Sequence, residues 1–224
     1  MKEEIVYGIA RSGHNWMCNV IKSWKGSDYQ VYDMESIWPW DFKEEMCKHF
    51  KFETYPEWPV YVLTRDYLNW AASWIKMTKG IDKDGRDMEQ AAIWLDRWMA
   101  IHKEAECETN HIPNKIPINY DGIVQNREYR KRICQEIGGT YNEGILNFVP
   151  GQGSSFNKQD YQSRGQEMKV LERWKWFLTE EGQPYHYLLS LRPNVMEYYM
   201  EHWDLTEEQE QFCETILKKV QTIN

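Results

Sequence analysis

The chain has 224 residues, of which 42% are apolar and 15% aromatic, and a formal net charge of −8, so it can bury one sizeable core. The acidic balance excludes broad binding to nucleic acid or an anionic membrane surface, which reward a basic face; a few arginines beside a helix N-terminus still make a pocket for an anionic small molecule. No run approaches the roughly 18 apolar residues that span a bilayer, and nothing predicts a membrane partner.

A single domain over residues 1–224 is expected, with its core at about 4–175 and a helical C-terminal region at about 176–224. The start, Met1-Lys2-Glu3-Glu4, lacks the apolar segment of a signal peptide. Five scattered cysteines with no CxxC pair suit reduced thiols better than a disulfide framework or zinc site. Together these features predict a cytoplasmic location.

Glu4 to Ala10 reads as a short buried strand through Ile5, Val6, Tyr7 and Ile9. It runs into the turn Arg11-Ser12-Gly13, and the spacing of Trp16, Val20, Ile21 and Trp24 predicts a helix over Asn15 to Trp24. Tyr29 to Tyr32, Val60 to Leu63 and Ile116 to Ile118 are short apolar runs with polar or proline boundaries, as in buried parallel strands. Helices are predicted at Asp66 to Met77, Asp87 to Cys107, Arg127 to Ile137, Gln166 to Thr179 and Thr206 to Val220. Gly138 to Gly165, rich in Gly, Asn, Ser and Gln, reads as a long surface loop. Strands alternating with helices give an α/β class, a central parallel sheet flanked by helices with further helices at the C-terminus.

Gly8-Ile9-Ala10-Arg11-Ser12-Gly13-His14-Asn15-Trp16 occupies a strand-to-helix turn, where backbone N–H groups and the helix dipole can cradle an anion. Gly8 and Gly13 have the spacing of a Walker A loop, but His14-Asn15 replaces the Lys-Ser/Thr that a magnesium-dependent nucleoside triphosphatase needs. At the end of the third strand, Val60-Tyr61-Val62-Leu63-Thr64-Arg65-Asp66 presents Arg65, and Ser73 follows eight residues later. An arginine fork and a hydroxyl can grip one phosphate from two directions.

With both motifs in hand, the chain resembles the sulfotransferases that use 3′-phosphoadenosine 5′-phosphosulfate (PAPS). That family shows a (Lys/Arg)-Ser-Gly-Thr-x-Trp loop and later an Arg followed eight residues on by Ser; Arg11 to Trp16, and Arg65 with Ser73, stand in those places. Ile116-Pro117-Ile118-Asn119-Tyr120-Asp121-Gly122-Ile123, followed by Arg130 to Gly138, is similar to the family's "RYEDL…LRRICEFLG" segment. A looser likeness covers Ser155-Phe156 and Arg164-Gly165, followed by Trp174-Lys175. The likeness spans roughly residues 4 to 175.

The resemblance implies a P-loop NTPase-like sulfotransferase fold, with PAPS as donor, adenosine 3′,5′-bisphosphate as product and no metal. It implies that Arg11, Ser12, Gly13, His14, Asn15 and Trp16 hold the 5′-phosphosulfate, Arg65 and Ser73 the 3′-phosphate, Tyr120 the adenine, and Arg164 and Gly165 a segment closing over the 3′-phosphate. His49, in Cys47-Lys48-His49-Phe50 before the Arg65 strand, is the implied general base and Arg11 the electrostatic partner of the transferred group; Glu44, Glu45 and His14 are reserves. Its lysine directly precedes His49, one position off the family's Lys-x-His context. His14-Asn15 also removes two hydroxyls from the family pattern, although Asn15 still donates and His14 can add positive charge.

The acceptor is expected to be a small molecule or carbohydrate with a hydroxyl or amine. Trp38 and Trp40 are candidates to stack on it, whereas Trp70, Trp74, Trp94, Trp98 and Trp174 fall at helical positions suited to packing. Two alternatives stay open: a nucleotide-binding relative without turnover, which the His14-Asn15 departure permits, and a small-molecule kinase, which would need the lysine and hydroxyl this loop lacks. The sequence leaves oligomeric state and acceptor identity open.

Overall fold

The computed structural model describes residues 2–9, 11–36, 58–78, 87–112, 114–147, 153, 154, 156, 159, 160 and 168–221. In chain order its elements are β1 (Lys2–Ile9), α1 (His14–Lys25), β2 (Tyr29–Ser36), β3 (Val60–Thr64), α2 (Tyr67–Met77), α3 (Asp87–Ala105) and β4 (Lys115–Asn119). Then come α4 (Tyr120–Gln125), α5 (Arg127–Glu136), β5 (Gly153–Ser154), β6 (Gln159–Asp160), α6 (His186–Ser190), α7 (Pro193–His202) and α8 (Glu207–Gln221). The described chain divides into two compact units, residues 1–65 with 101–171 and residues 66–100 with 172–224.

The first unit carries a four-stranded sheet in the order β2-β1-β3-β4, with every neighbouring pair parallel. Strands covered on both faces must be apolar throughout, and Val60 to Thr64 are accordingly all buried, as are Glu4 to Ile9. Glu4 is tolerated there because Lys25 lies 2.8 Å from its carboxylate and the Tyr61 hydroxyl donates to it at 2.8 Å. Helix α1 buries Met17, Cys18, Val20, Ile21 and Trp24 at helical spacing. These join Val6, Tyr61, Leu63, Ile118, Ile123 and Ile133 in one core. The expected α/β chain with a parallel sheet flanked by helices is therefore present.

This sheet order has a topological consequence. From β1 the chain crosses to β2 on one side, and from β3 it crosses to β4 on the other. The connections leaving β1 and β3 run in opposite directions, which marks the C-terminal ends of those two strands as the edge where open α/β sheets bind ligands.

The second unit is helical and aromatic. Tyr67 packs on Trp98 and Tyr199 with ring centroids 5.0 and 5.4 Å apart, and Trp70 stacks on Trp74 at 5.9 Å. Trp70, Trp74, Trp98 and Trp174 are buried, as their helical spacing predicts. Asp66 caps α2 by accepting from Asn69 N at 2.7 Å, while its other oxygen accepts from the Tyr199 hydroxyl and from Gln209.

Several details differ from the sequence reading. The stretch read as one loop, 138 to 165, contains a 3₁₀ turn (Glu143–Asn147) and the antiparallel pair β5-β6. The helix expected from Gln166 is, within the described residues, a 3₁₀ run over Val170–Leu178. Helix α4 was not anticipated, and α6 and α7 fall in the C-terminal region expected to be helical without having been placed individually. Among the described residues no helix is long and apolar enough to cross a membrane.

Candidate functional site

Three strand ends meet at this edge, and each delivers one part of the candidate site. β1 delivers the turn. Arg11 adopts φ 71° and Gly13 φ 101°, two left-handed residues that fold the chain back between β1 and α1. Ser12 N donates to Ile9 O at 3.1 Å, and Gly13 O receives the first helical bond from Met17 N at 2.9 Å. Gly13 caps α1 without a side-chain bond and the first turn holds no acidic residue. The N–H groups of a first helical turn have no intrahelical acceptor, and with the helix dipole they make a positive end at this edge of the sheet.

β3 delivers Arg65. Its side chain is buried, yet it carries a charge that needs partners. One terminal nitrogen donates to Arg11 O at 2.7 Å and the other to Val170 O at 3.2 Å, and the guanidinium lies 4.9 Å from the centre of the Tyr120 ring. Arg65 thus ties the left-handed turn to the chain that returns at residue 170.

β4 delivers Tyr120, the first residue of α4. Asn119 caps that helix by accepting from Gly122 N at 2.9 Å. The Tyr120 ring covers the turn: a Cβ on Gly13 would stand 2.4 Å from Tyr120 Cε2. Trp16, half-buried in the first turn of α1, meets the same ring edge-on at 5.5 Å.

The structure therefore brings Arg11, Gly13, Trp16, Arg65 and Tyr120 together. Ser12 and His14 belong to the same turn but face inward. Both are buried, with His14 Nε2 3.0 Å from Ser12 Oγ. Gly8 has no room for a side chain there, because a Cβ would lie 2.7 Å from His14 Nε2 and 2.8 Å from Leu63 O. Burial pushes the His14 imidazole down to about 4, against the opposing effect of its hydrogen bond to the Gly8 backbone. The positive charge expected of His14 is thus missing at neutral pH: the ring is a neutral wedge that shapes the turn. Asn15 is exposed, and its carbonyl accepts from Asn19 Nδ2 at 2.6 Å.

Ser73 belongs to the second unit, buried on α2, where its hydroxyl accepts from Arg173 at 2.9 Å. His49, Arg164 and Gly165 lie outside the described residues, as do Trp38, Trp40, Glu44 and Glu45.

Two residues beside these positions were missed in the sequence. Arg173 supplies a cation to Ser73. His102, near the end of α3, is buried with Nε2 3.4 Å from Arg65 N and 3.1 Å from Arg65 O. A signal for it existed: Ala91, Leu95, Trp98, Ile101 and Ala105 form the buried stripe of α3, His102 falls on that stripe, and a buried imidazole must find hydrogen-bond partners.

Among the described residues no group of three or more His, Cys, Asp or Glu gathers as a metal site. No protein-family model matches the chain, and neither does any curated protein or solved structure.

Proposed function

We propose that the chain is a PAPS-dependent sulfotransferase on a P-loop-like domain, with the donor held at the turn between β1 and α1 and the sulfuryl group passed to a hydroxyl or amine acceptor. One observation carries this reading: the Arg11–Gly13 turn, the α1 N-terminus, Arg65 and Tyr120 converge at the C-terminal ends of the sheet strands. The donor set suits an anionic nucleotide without magnesium, since it offers backbone amides, guanidinium groups and aromatic faces but no lysine and no acidic residue in the first turn of α1. The same absence weighs against a kinase.

The donor supplies an activated sulfuryl group: an acceptor oxygen bonds to sulfur as the bond from sulfur to the bridging phosphate oxygen breaks, and adenosine 3′,5′-bisphosphate leaves. The turn amides and the α1 N-terminus hold the 5′-phosphosulfate, and Arg11 meets the charge that grows on the bridging oxygen. Tyr120 and Trp16 offer ring faces and edges to the adenine. Arg65 is assigned to the 3′-phosphate. Both its terminal nitrogens donate to main-chain carbonyls, so that role requires it to exchange one of those bonds for a phosphate oxygen. His49 takes the acceptor proton.

Arg65→Ala tests the assignment. It should weaken binding of adenosine 3′,5′-bisphosphate far more than binding of adenosine 5′-phosphosulfate, which lacks the 3′-phosphate. Equal losses would remove Arg65 from the 3′-phosphate and leave it as a structural tie.

A further inference from the structure

We propose that His102 is the positioning residue that aims Arg65 at the turn, an assignment that rests on the reading of this edge as the donor site. Arg65 sits where the sheet stops: the β3–β4 register ends at Thr64 with Asn119, so the peptide groups on either side of the Arg65 Cα must be satisfied by something other than the ladder. His102 offers a single atom that can serve one or the other of them. Its Nε2 lies 3.4 Å from Arg65 N and 3.1 Å from Arg65 O. One ring nitrogen cannot donate and accept at once, so the imidazole holds the carbonyl when Nε2 carries the proton and the amide when it does not.

The consequence is carried by the side chain. With one of its flanking peptide groups held by that nitrogen, Arg65 reaches Arg11 O at 2.7 Å, Val170 O at 3.2 Å and the face of Tyr120 at 4.9 Å. All three partners belong to the candidate site or border it. A backbone that tilts at Arg65 moves the guanidinium off every one of them together. His102 itself is buried behind the strand end and touches the peptide of Arg65, so its influence passes through Arg65.

The test compares His102→Leu, which keeps bulk and removes the nitrogen, with His102→Gln, whose amide can serve both peptide groups. The first readout needs no ligand. In the wild type the Arg65 guanidinium protons, identified by their disappearance in Arg65→Lys, should give slowly exchanging NMR signals; Leu should lose them and Gln should keep them. The second is affinity for adenosine 3′,5′-bisphosphate, which should fall about tenfold in Leu, the size of one lost hydrogen bond, and recover in Gln. In an Arg65→Ala background the Leu change should have no further effect.

Unchanged guanidinium signals in Leu would overturn the assignment, and so would a Leu effect of full size in the Arg65→Ala background. If the wild type does not bind the bisphosphate, the donor reading fails on its own, and the guanidinium signals alone decide the role of His102. Should Leu not fold, His102→Asn, too short to span both peptide groups, is measured against Gln by the same readouts.

Discussion

Adding one methyl group at Gly13 should destabilise the protein more than the same change at Gly138, and the difference isolates the contact that closes the candidate site. Both glycines are left-handed, with φ 101° and 71°, so alanine at either costs about 1–2 kcal/mol of backbone strain. At Gly138 a Cβ meets nothing within 4 Å, and the cost ends there. At Gly13 it would lie 2.4 Å from Tyr120 Cε2 and 2.7 Å from Cδ2. Carbon atoms rest about 3.5–4.0 Å apart, so the ring must retreat by about 1 Å. Tyr120 is buried and packed on Trp16, and overpacking of this kind costs about 1–3 kcal/mol more. Urea unfolding followed by tryptophan fluorescence should therefore give a loss of about 2–5 kcal/mol for Gly13→Ala and about 1–2 kcal/mol for Gly138→Ala. In a Tyr120→Ala background the Gly13 loss should shrink to that of Gly138. Equal losses at the two glycines, or a Gly13 loss indifferent to Tyr120, would show that the Tyr120 ring does not close on the turn.

His14 should remain neutral well below the ordinary histidine range. Its folded value is pushed down to about 4 from 6.5, so the unfolded chain takes up the proton first as pH falls. Its contribution to stability is complete above pH 6.5 and is lost between 6.5 and 4; His14→Asn should flatten that part of the stability profile, and an imidazole NMR midpoint near 6.5 would contradict the burial argument. Glu104 behaves in the acid range. Burial pushes its carboxyl up, but hydrogen bonds from Lys115, Thr109 and the Ile112 and His111 amides outweigh this and hold it below 4.5. The stabilisation is present above 4.5 and disappears as pH falls through the lowered value, so Glu104→Gln should be less stable at neutral pH and lose less on acidification. His49→Ala should abolish sulfuryl transfer while bisphosphate affinity stays near wild type; full transfer would assign the base elsewhere.

The sheet and the main helices were legible because buried parallel strands and amphipathic helices write their period directly into the sequence. Val60 to Leu63 and the Trp16, Val20, Ile21, Trp24 spacing located β3 and α1 to within two residues at each end. The elements that escaped are short. Helix α4 has six residues, too few to show a period, and its clearest mark is the Asn119 cap; α7 carried its own mark, Pro193 at its first position. The turn itself could be read from Gly8, Arg11 and Gly13, since glycine spacing states where a backbone must bend. The orientation of His14 could not, because the sequence does not say whether a histidine beside a turn points outward as a cation or inward as a neutral wedge. The desolvation of a side chain sealed against Gly8 and Ser12 decides that. His102 and Arg173 escaped for a similar reason: their partners, Arg65 and Ser73, are distant in sequence.

Calorimetric titration with adenosine 3′,5′-bisphosphate, set beside 5′-AMP and ATP with magnesium, tests the donor site without knowledge of the acceptor. Clear preference for the bisphosphate, weakened by Arg65→Ala, is the expected result. Preference for ATP with magnesium, or no binding of any of the three, would rule out a PAPS site at this turn.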